Sequence, residues 1–402
     1  MWPAWQDDDV FEKFLDNGHD PNLIMASSLC MGTINPPLRS ALDEERTEVA
    51  RLLLKRGAYP NLTNDEGDTA LHIICSKEFD KDLVSMLFEL SDEGNQTVQI
   101  DAQNDWGTTP LQLALRCGHK NWAKFLLRRG ANPRLVNKEG LGPLHAICMR
   151  NDDDDLVEIF FNINDEIQQT IPVDARDKTG RTPLQLAVAN LLPHVVDVLL
   201  DHGADLSSFV FPTESDFYEK FKWLSYGTDS KLRKCSCIFI VIEYLEKRGY
   251  ELHRSDALTI MKIFAKHKSF EKSDDLEEFW YRDPEFALKA KELVIKPNCS
   301  IYDVIQLRPD EAPKLFAYTD YYKFACSKKL WELPYEYRNA CAVRLCEMTL
   351  RRFCQRWALD SFMELTHCQL PILCCDMIIK QLMNEDLVRI CLGLQAKACD
   401  SA

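Results

Sequence analysis

Along the first half of the chain, apolar residues return at helical spacing in runs that alternate with polar turns. Three of these runs close in the same way: Val49 to Leu54 in Lys55-Arg56-Gly57-Ala58, Phe125 to Leu127 in Arg128-Arg129-Gly130-Ala131, and Val198 to Leu200 in Asp201-His202-Gly203-Ala204. Glycine at that place ends a helix. A second set of runs opens on one recurring stretch: Thr69-Ala70-Leu71-His72, Thr109-Pro110-Leu111-Gln112, Gly142-Pro143-Leu144-His145 and Thr182-Pro183-Leu184-Gln185. Thr before Pro is a helix start, since the hydroxyl accepts from free amides and Pro suits the first turn. Just upstream stand Asp65-Glu66-Gly67, Asp105-Trp106-Gly107, Lys138-Glu139-Gly140 and Lys178-Thr179-Gly180. Each reads as a hairpin tip whose glycine takes a positive φ.

With Pro37 of Pro37-Leu38-Arg39 as the first mark, the steps to Ala70, Pro110, Pro143 and Pro183 are 33, 40, 33 and 40 residues. Turn, capped inner helix, outer helix and Gly stop in that period resemble ankyrin repeats over residues 1–208. The surplus of the longer steps falls at Asp92 to Thr97 and at Asp165 to Thr170, which lack the Gly-Ala stop. There the outer helix is expected to run on or to give way to a longer loop. Gly18-His19-Asp20-Pro21-Asn22 echoes Gly57-Ala58-Tyr59-Pro60-Asn61, so the first residues read as a worn terminal repeat, with Trp2, Trp5, Phe11 and Phe14 as its apolar side.

The ankyrin resemblance implies recognition of a folded target protein through the hairpin tips and the ends of the inner helices. Here those positions are Asp65, Glu66, Asp68 and Lys77; Asp105, Trp106, Thr108 and Arg116; Lys138, Glu139, Leu141, Met149 and Arg150; and Lys178, Thr179, Arg181 and Asn190. A large aromatic such as Trp106 either packs on the next hairpin or anchors an interface. His72 and His145 fall where ankyrin repeats bridge hairpin backbones with an imidazole. The acidic run Asp152 to Asp155 falls at the start of an outer helix, where acids favour the positive end of the dipole.

Past residue 208 the motif stops and helical patterns continue. Residues 209–328 read as a helical connector and solenoid cap, with helices over Leu232–Lys247, Ala257–His267, Pro284–Val294 and Pro309–Ala325, another capped by Ser300 and Asp303, and a linker over Lys266–Asp275. Residues 329–402 form a third region, in which Leu333-Pro334 and Leu370-Pro371 each open a helix. Between them Ala340 to Trp357 is amphipathic, and Arg344, Arg351, Arg352 and Arg356 are expected to snorkel or to pair with acids.

Leu370, Pro371, Ile378, Leu382, Asp386 and Leu387 have the spacing of an F-box, the helical segment that docks on the Skp adaptor of cullin ubiquitin ligases. Together with Leu333-Pro334, Arg352-Phe353 and the repeats, the whole resembles the PRANC proteins of poxviruses, some intracellular bacteria and parasitoid wasps. It departs from the F-box pattern at Leu373, where the pattern carries an acid. On the residues alone, Leu370 to Leu392 equally reads as a capped helical hairpin that completes a small domain.

Composition narrows the function. The chain is 46% hydrophobic and 28% charged, a globular balance, and its net charge of −15 makes nucleic acid or an anionic membrane a poor partner. Sixteen cysteines lie dispersed in helical patterns, with no Cys-x-x-Cys pair, which suits buried thiols in a reducing, intracellular compartment, cytoplasmic or nuclear. No secretory leader and no apolar run long enough for a bilayer is apparent. Neither is a phosphate loop, a metal-ligand pair or a nucleophile with a base.

The expectation is therefore an all-α protein: an ankyrin-repeat solenoid of about five repeats with degenerate caps, then an α-helical C-terminal domain. It would be a non-enzyme without cofactor or metal, recruiting a target protein to a Skp-type adaptor and cullin. The alternative is an IκB-like inhibitor of a transcription factor whose C-terminus is purely structural.

Overall fold

The structure is a computed structural model describing residues 12–13, 15–22, 25–26, 34–77, 79, 81–93, 97–217, 228–266, 280–308 and 310–400. Trp2, Trp5, Phe11, Phe14, residues 94–96, Pro309 and most of the expected linker lie outside the described residues. The chain divides into two compact units, Met1–Leu186 with Asp201–Ala204, and Ala187–Leu200 with Asp205–Ala402.

The first unit is a stack of successive helix pairs: α1 (Pro37–Asp43) and α2 (Thr47–Lys55), α3 (Ala70–Ser76) and α4 (Lys81–Glu93), α5 (Pro110–Cys117) and α6 (Lys120–Arg128), and α7 (Pro143–Cys148) and α8 (Leu156–Glu166). Helix α3 packs between α1 and α5, and α5 packs on α7, which makes the inner layer. The outer layer forms from α2 on α4 and α6 on α8. Leu53, Leu71, Leu111, Leu126, Leu144 and Phe160 are buried between the layers, so the apolar period of the sequence becomes a continuous core. A short antiparallel pair, Met25–Ala26 with Ile34–Asn35, precedes α1.

The expected helix starts are present. Thr109 Oγ1 accepts from the Gln112 amide at 3.3 Å, while the Thr109 N–H donates to Gln112 Oε1 at 3.0 Å. Thr182 and Gln185 repeat this at the start of α9 (Pro183–Ala189). Where the fourth residue is histidine, the ring takes the amide role: the Thr69 and Gly142 N–H groups each donate to Nδ1 of His72 and His145 at 3.1 Å. Gly142 thus opens a helix with no hydroxyl of its own.

The surplus of the longer repeats lies partly in longer outer helices. Helices α4 and α8 have 13 and 11 residues, against nine in α2 and α6. The echo at the N-terminal end is also physical, because Asn22 Oδ1 accepts from Tyr59 N–H at 2.6 Å and its Nδ2 donates to the Gly57 carbonyl at 3.1 Å. Asn61 makes the same pair of bonds to Gln99 and Thr97, one repeat on.

The second unit takes in the end of α9 and all but the last residue of α10 (Pro193–Asp201), and it is built around α17 (Tyr335–Leu365), a helix of 31 residues. Helix α11 (Thr228–Lys247) packs on α16 (Tyr318–Cys326) and α17, while α18 (Ile372–Gln381) and α19 (Asn384–Asp400) also pack on α17. Helix α12 (Arg254–Lys266) packs on α19. Phe239 sits at the centre, with ring centroids of Phe264, Tyr318 and Phe353 at 6.0, 5.0 and 5.1 Å.

Cys235, Cys341, Cys346, Cys354 and Cys391 are buried around the same helices as small core residues. The expected connector and C-terminal regions therefore fall in one compact unit. Among the described residues no helix is long and apolar enough to cross a membrane.

Two details differ from the sequence reading. The single helix expected over 309–325 is two, α15 (Ala312–Leu315) and α16, because Phe316 and Ala317 are extended and the Asp320 carboxylate accepts the Ala317 N–H at 2.9 Å to start a new helix. The helix expected to reach Val294 stops at Glu292 in α13 (Pro284–Glu292). Val294–Lys296 instead pairs antiparallel with Cys299–Ser300, ahead of α14 (Ile301–Gln306) and its Ser300–Asp303 capping box.

Candidate functional site

The hairpin row is assembled from repeated parts. An Asx residue opens each tip: Asn64, Asn104, Asn137 and Asp177 accept, on one side-chain oxygen, the backbone N–H groups two and four residues on, at 2.8–3.2 Å. Each tip then bonds to its neighbour through the backbone. Asp105 N–H donates to the Glu66 carbonyl at 2.9 Å, Lys138 to Trp106 at 2.8 Å, and Lys178 to Glu139 at 2.9 Å.

Glycine is demanded twice over at these places. Gly67, Gly107 and Gly140 have φ of +76°, +74° and +78°, and a Cβ on each would stand 2.8, 2.8 and 3.0 Å from the backbone nitrogen of the next tip. Gly180, at φ +84°, would meet no described atom within 4 Å, so the tight succession ends there.

Imidazoles and amides tie tip to helix. His72 Nε2 donates to the Thr108 carbonyl at 3.0 Å, and His145 Nε2 meets Arg181 O at 3.3 Å, each with its Nδ1 holding the helix start. Gln112 does the same work, donating to Leu135 O and Leu141 O at 2.9 Å. Burial pushes both histidines below their ordinary value, against the opposing pull of the Thr108 or Arg181 carbonyl and of Asp68 or Asp177. Neutral imidazoles with Nε2 protonated fit these partners, so both residues build the fold.

The candidate target-binding residues separate by exposure. Asp65, Glu66, Asp105, Trp106, Arg116, Lys138, Glu139, Lys178 and Thr179 are exposed, and Trp106 retains 55% of its surface. The next hairpin therefore does not enclose the Trp106 ring. Thr108, Leu141, Met149 and Arg181 are half-buried, and so is Asn190, which falls in the second unit. Lys77 is half-buried, donating to the Asp43 carbonyl and pairing with Glu45 at 3.5 Å.

Two of the expected contact residues are inside the fold. Asp68 accepts from Asn104 Nδ2 at 2.9 Å, which locks one hairpin to the next. Buried Arg150 pairs with Asp154 at 2.7 Å and lies over Gly118, where a Cβ would stand 2.4 Å from its guanidinium. Asp154 also meets Lys120 at 3.3 Å, and Asp155 bonds to Lys120. Burial works to raise the Asp154 carboxyl, but the bonds from Arg150 and Leu156 N–H outweigh it and hold it low. The acidic run is thus tied to its own repeats, and at the helix start Asp154 accepts the Leu156 N–H at 3.2 Å.

In the second unit the F-box-like set divides as well. Leu370, Pro371 and Ile378 are exposed, Leu382 and Asp386 are half-buried, and Leu387 is fully buried against the core. Leu387 is therefore corrected from a contact position to a packing one. Asp386 accepts the Met383 N–H at 3.2 Å and so starts α19.

Beside this set, Ile372, Leu373 (73%), Met377 (68%) and Met383 are exposed apolar side chains that the sequence reading did not count as contact positions. Their signal was present, since Ile372, Leu373 and Met377 lie outside the apolar spacing of Cys375 and Ile379, the buried side of α18.

Beneath them, buried Arg351 of α17 donates to the carbonyls of Leu382, Lys380 and Ile379 at 2.5, 2.8 and 3.5 Å and pairs with Asp310 at 2.7 Å. It holds the last turn of α18, where carbonyls lack helical partners. Arg344 and Arg356 pair with Glu347 at 2.9 Å and Glu246 at 2.7 Å.

This geometry defines a class, an array of stacked hairpins and helix pairs that presents exposed side chains on a rigid row. The chain carries ankyrin repeats: the family of that description matches in three copies over residues 38–137 and 123–209. That part is a protein-interaction module.

Similar proteins include the human transient receptor potential cation channel subfamily A member 1, 27% identical over 174 residues, which is 43% of this chain and 15% of that protein. Human B-cell lymphoma 3 protein is 26% identical over 151 residues, 38% of this chain and 32% of its own. The putative ankyrin repeat protein FPV031 of fowlpox virus is 24% identical over 169 residues, 42% of this chain and 48% of its own. The chain thus spans less than half the length of each of these relatives.

Proposed function

We propose that the chain is a substrate-recruiting adaptor of a Skp/cullin-type ubiquitin ligase, working inside the cell, in cytoplasm or nucleus. The hairpin row holds the target, and the start of α18 docks the Skp-type adaptor. The observation that carries this reading is the exposed apolar set Leu370, Ile372, Leu373, Met377 and Ile378, which falls at a Leu-Pro helix start and on the first two turns after it. Apolar clusters of this kind on a soluble surface mark interaction sites. Joining two binding surfaces in one chain raises the local concentration of target beside the transfer site, with no catalysis by the adaptor itself.

The test uses point variants, because truncation near Lys329 would remove α17 and with it the core of the second unit. Direct binding of recombinant Skp-type adaptor to the full chain and to Leu373→Asp/Met377→Asp is measured by calorimetry. Binding by the intact chain with a loss of about tenfold or more in the double variant supports the reading. Absence of binding by the intact chain ends it.

A second reading, the IκB-like inhibitor, is favoured by the exposed acids at the first tips, which would cover a basic face of a transcription factor. It predicts retention of such a factor by the double variant and by the intact chain alike.

A further inference from the structure

The four tips carry a directional charge pattern. In chain order the two residues ahead of the tip glycine are Asp65-Glu66, Asp105-Trp106, Lys138-Glu139 and Lys178-Thr179, all exposed. The row therefore passes from two acids, to one acid beside an exposed indole, to a base with an acid, to a single base.

The tip-to-tip bonds at 2.8–2.9 Å, with Gly67, Gly107 and Gly140 close against the neighbouring backbone, set the tip backbones in register. The pattern consequently has one direction along the surface. Other tip acids do not blur it: Asp68 is committed to Asn104, and Asp177 to Arg181 at 2.9 Å.

We infer that this row binds a polypeptide segment of opposite polarity. Lys or Arg side chains meet Glu66 and Asp105, an apolar side chain lies on Trp106, and an acidic side chain reaches Lys178. The inference rests on the reading of the tips as the target surface and adds the chemistry of the target. Complementary charge of this kind sets direction and register more than raw affinity, while the indole supplies the desolvated anchor. Nucleic acid has no place on the acidic half of the row, since its phosphates would face Glu66 and Asp105.

A random-peptide display library panned on the full chain tests this, with Glu66→Lys/Asp105→Lys, Lys178→Glu and Trp106→Ala as parallel targets. All four positions are exposed, so the variants keep the fold, which circular dichroism checks. The intact chain is expected to enrich peptides in which a Lys/Arg cluster stands beside an apolar residue and an acid stands at the far end. Those peptides should bind Glu66→Lys/Asp105→Lys about tenfold or more weakly, and panning on that variant should enrich acidic clusters instead. Lys178→Glu should relax only the requirement for the acid.

Enrichment of peptides without charge segregation, enrichment of the same peptides by the charge-reversed chain, tighter binding of single-stranded DNA, or no enrichment overturns the inference. Unsegregated peptides that still need Trp106 leave the tips standing as the target surface and sink only the charge assignment. Peptides indifferent to every tip substitution sink both.

Discussion

The two units hold themselves together in opposite ways. In the repeat unit the decisive contacts are short and recurrent: Asx oxygens on their own turns, a tip amide on the preceding tip, an imidazole or amide side chain on the next hairpin. In the second unit they are singular and distant in sequence. Arg351 reaches Asp310 and the end of α18, Arg254 of α12 grips Glu364 of α17 at 2.7 and 3.0 Å, and Arg356 pairs with Glu246. Repetition divides stability into nearest-neighbour steps, whereas singular contacts concentrate it on a few side chains.

This contrast is broken most directly at Arg351. Arg351→Met leaves the α18 carbonyls and Asp310 without their buried partner and should cost the second unit about 3 kcal/mol. Labelling of the buried thiols is the readout, with Cys235, Cys346 and Cys354 reacting faster while Cys75 and Cys148 of the repeats keep their protection. Equal acceleration of both sets would show that the two stabilities are not separable.

Within the repeats, Gly107→Ala should cost about 2–3 kcal/mol, since it combines a positive φ with a Cβ driven into the Lys138 backbone. Gly180→Ala carries the backbone strain alone and should cost about 1 kcal/mol. Chemical denaturation of both variants measures the difference, which is the contribution of the neighbouring tip. If the two costs match, close approach between tips has no energetic weight.

A smaller effect comes from pH. His72 and His145 are held below their ordinary value in the folded state, so the unfolded chain takes up protons first as pH falls through about 6.5. Their stabilising contribution is complete above that value and is lost toward lower pH. Between pH 7.5 and 5.5 the repeat unit should drop about 2–4 °C in Tm, and His72→Gln/His145→Gln, borrowing the side chain used at Gln112 and Gln185, should flatten that slope. An unchanged slope in the double variant would assign the effect elsewhere.

The smallest expected change in stability is at Trp106. Trp106→Ala should leave both units within about 0.5 kcal/mol of the parent, because the ring is exposed. A larger loss would return the indole to packing.

The same contrast explains what the sequence disclosed. Period, helix starts and tip glycines were legible because each is local and recurs, as with Thr109-Pro110 and Gly107. The Asx openers at Asn64, Asn104, Asn137 and Asp177 were equally legible, three residues before each tip glycine, and were overlooked. Asp68 and Arg150 were placed on the surface because spacing reports position on a repeat, while their burial depends on Asn104 and Asp154.

In the second unit the helix starts at Pro334 and Pro371 were readable. The partners of Arg351 were not, since they come from chain segments about 30 to 40 residues away with no recurring signature. The burial of Leu387 was not readable from spacing either, because it follows from the packing of α19 on α17, a helix distant in sequence.

The amide-to-carbonyl bond between successive tips gives the row interchangeable joints. Because Glu66, Trp106 and Glu139 offer the next repeat the same carbonyl in the same way, a whole repeat can be duplicated or deleted between two such joints while the remaining junctions keep their geometry. Length and side-chain content become independent variables: evolution, or a protein engineer, can lengthen the recognition surface by one unit or rewrite a single tip without redesigning the array.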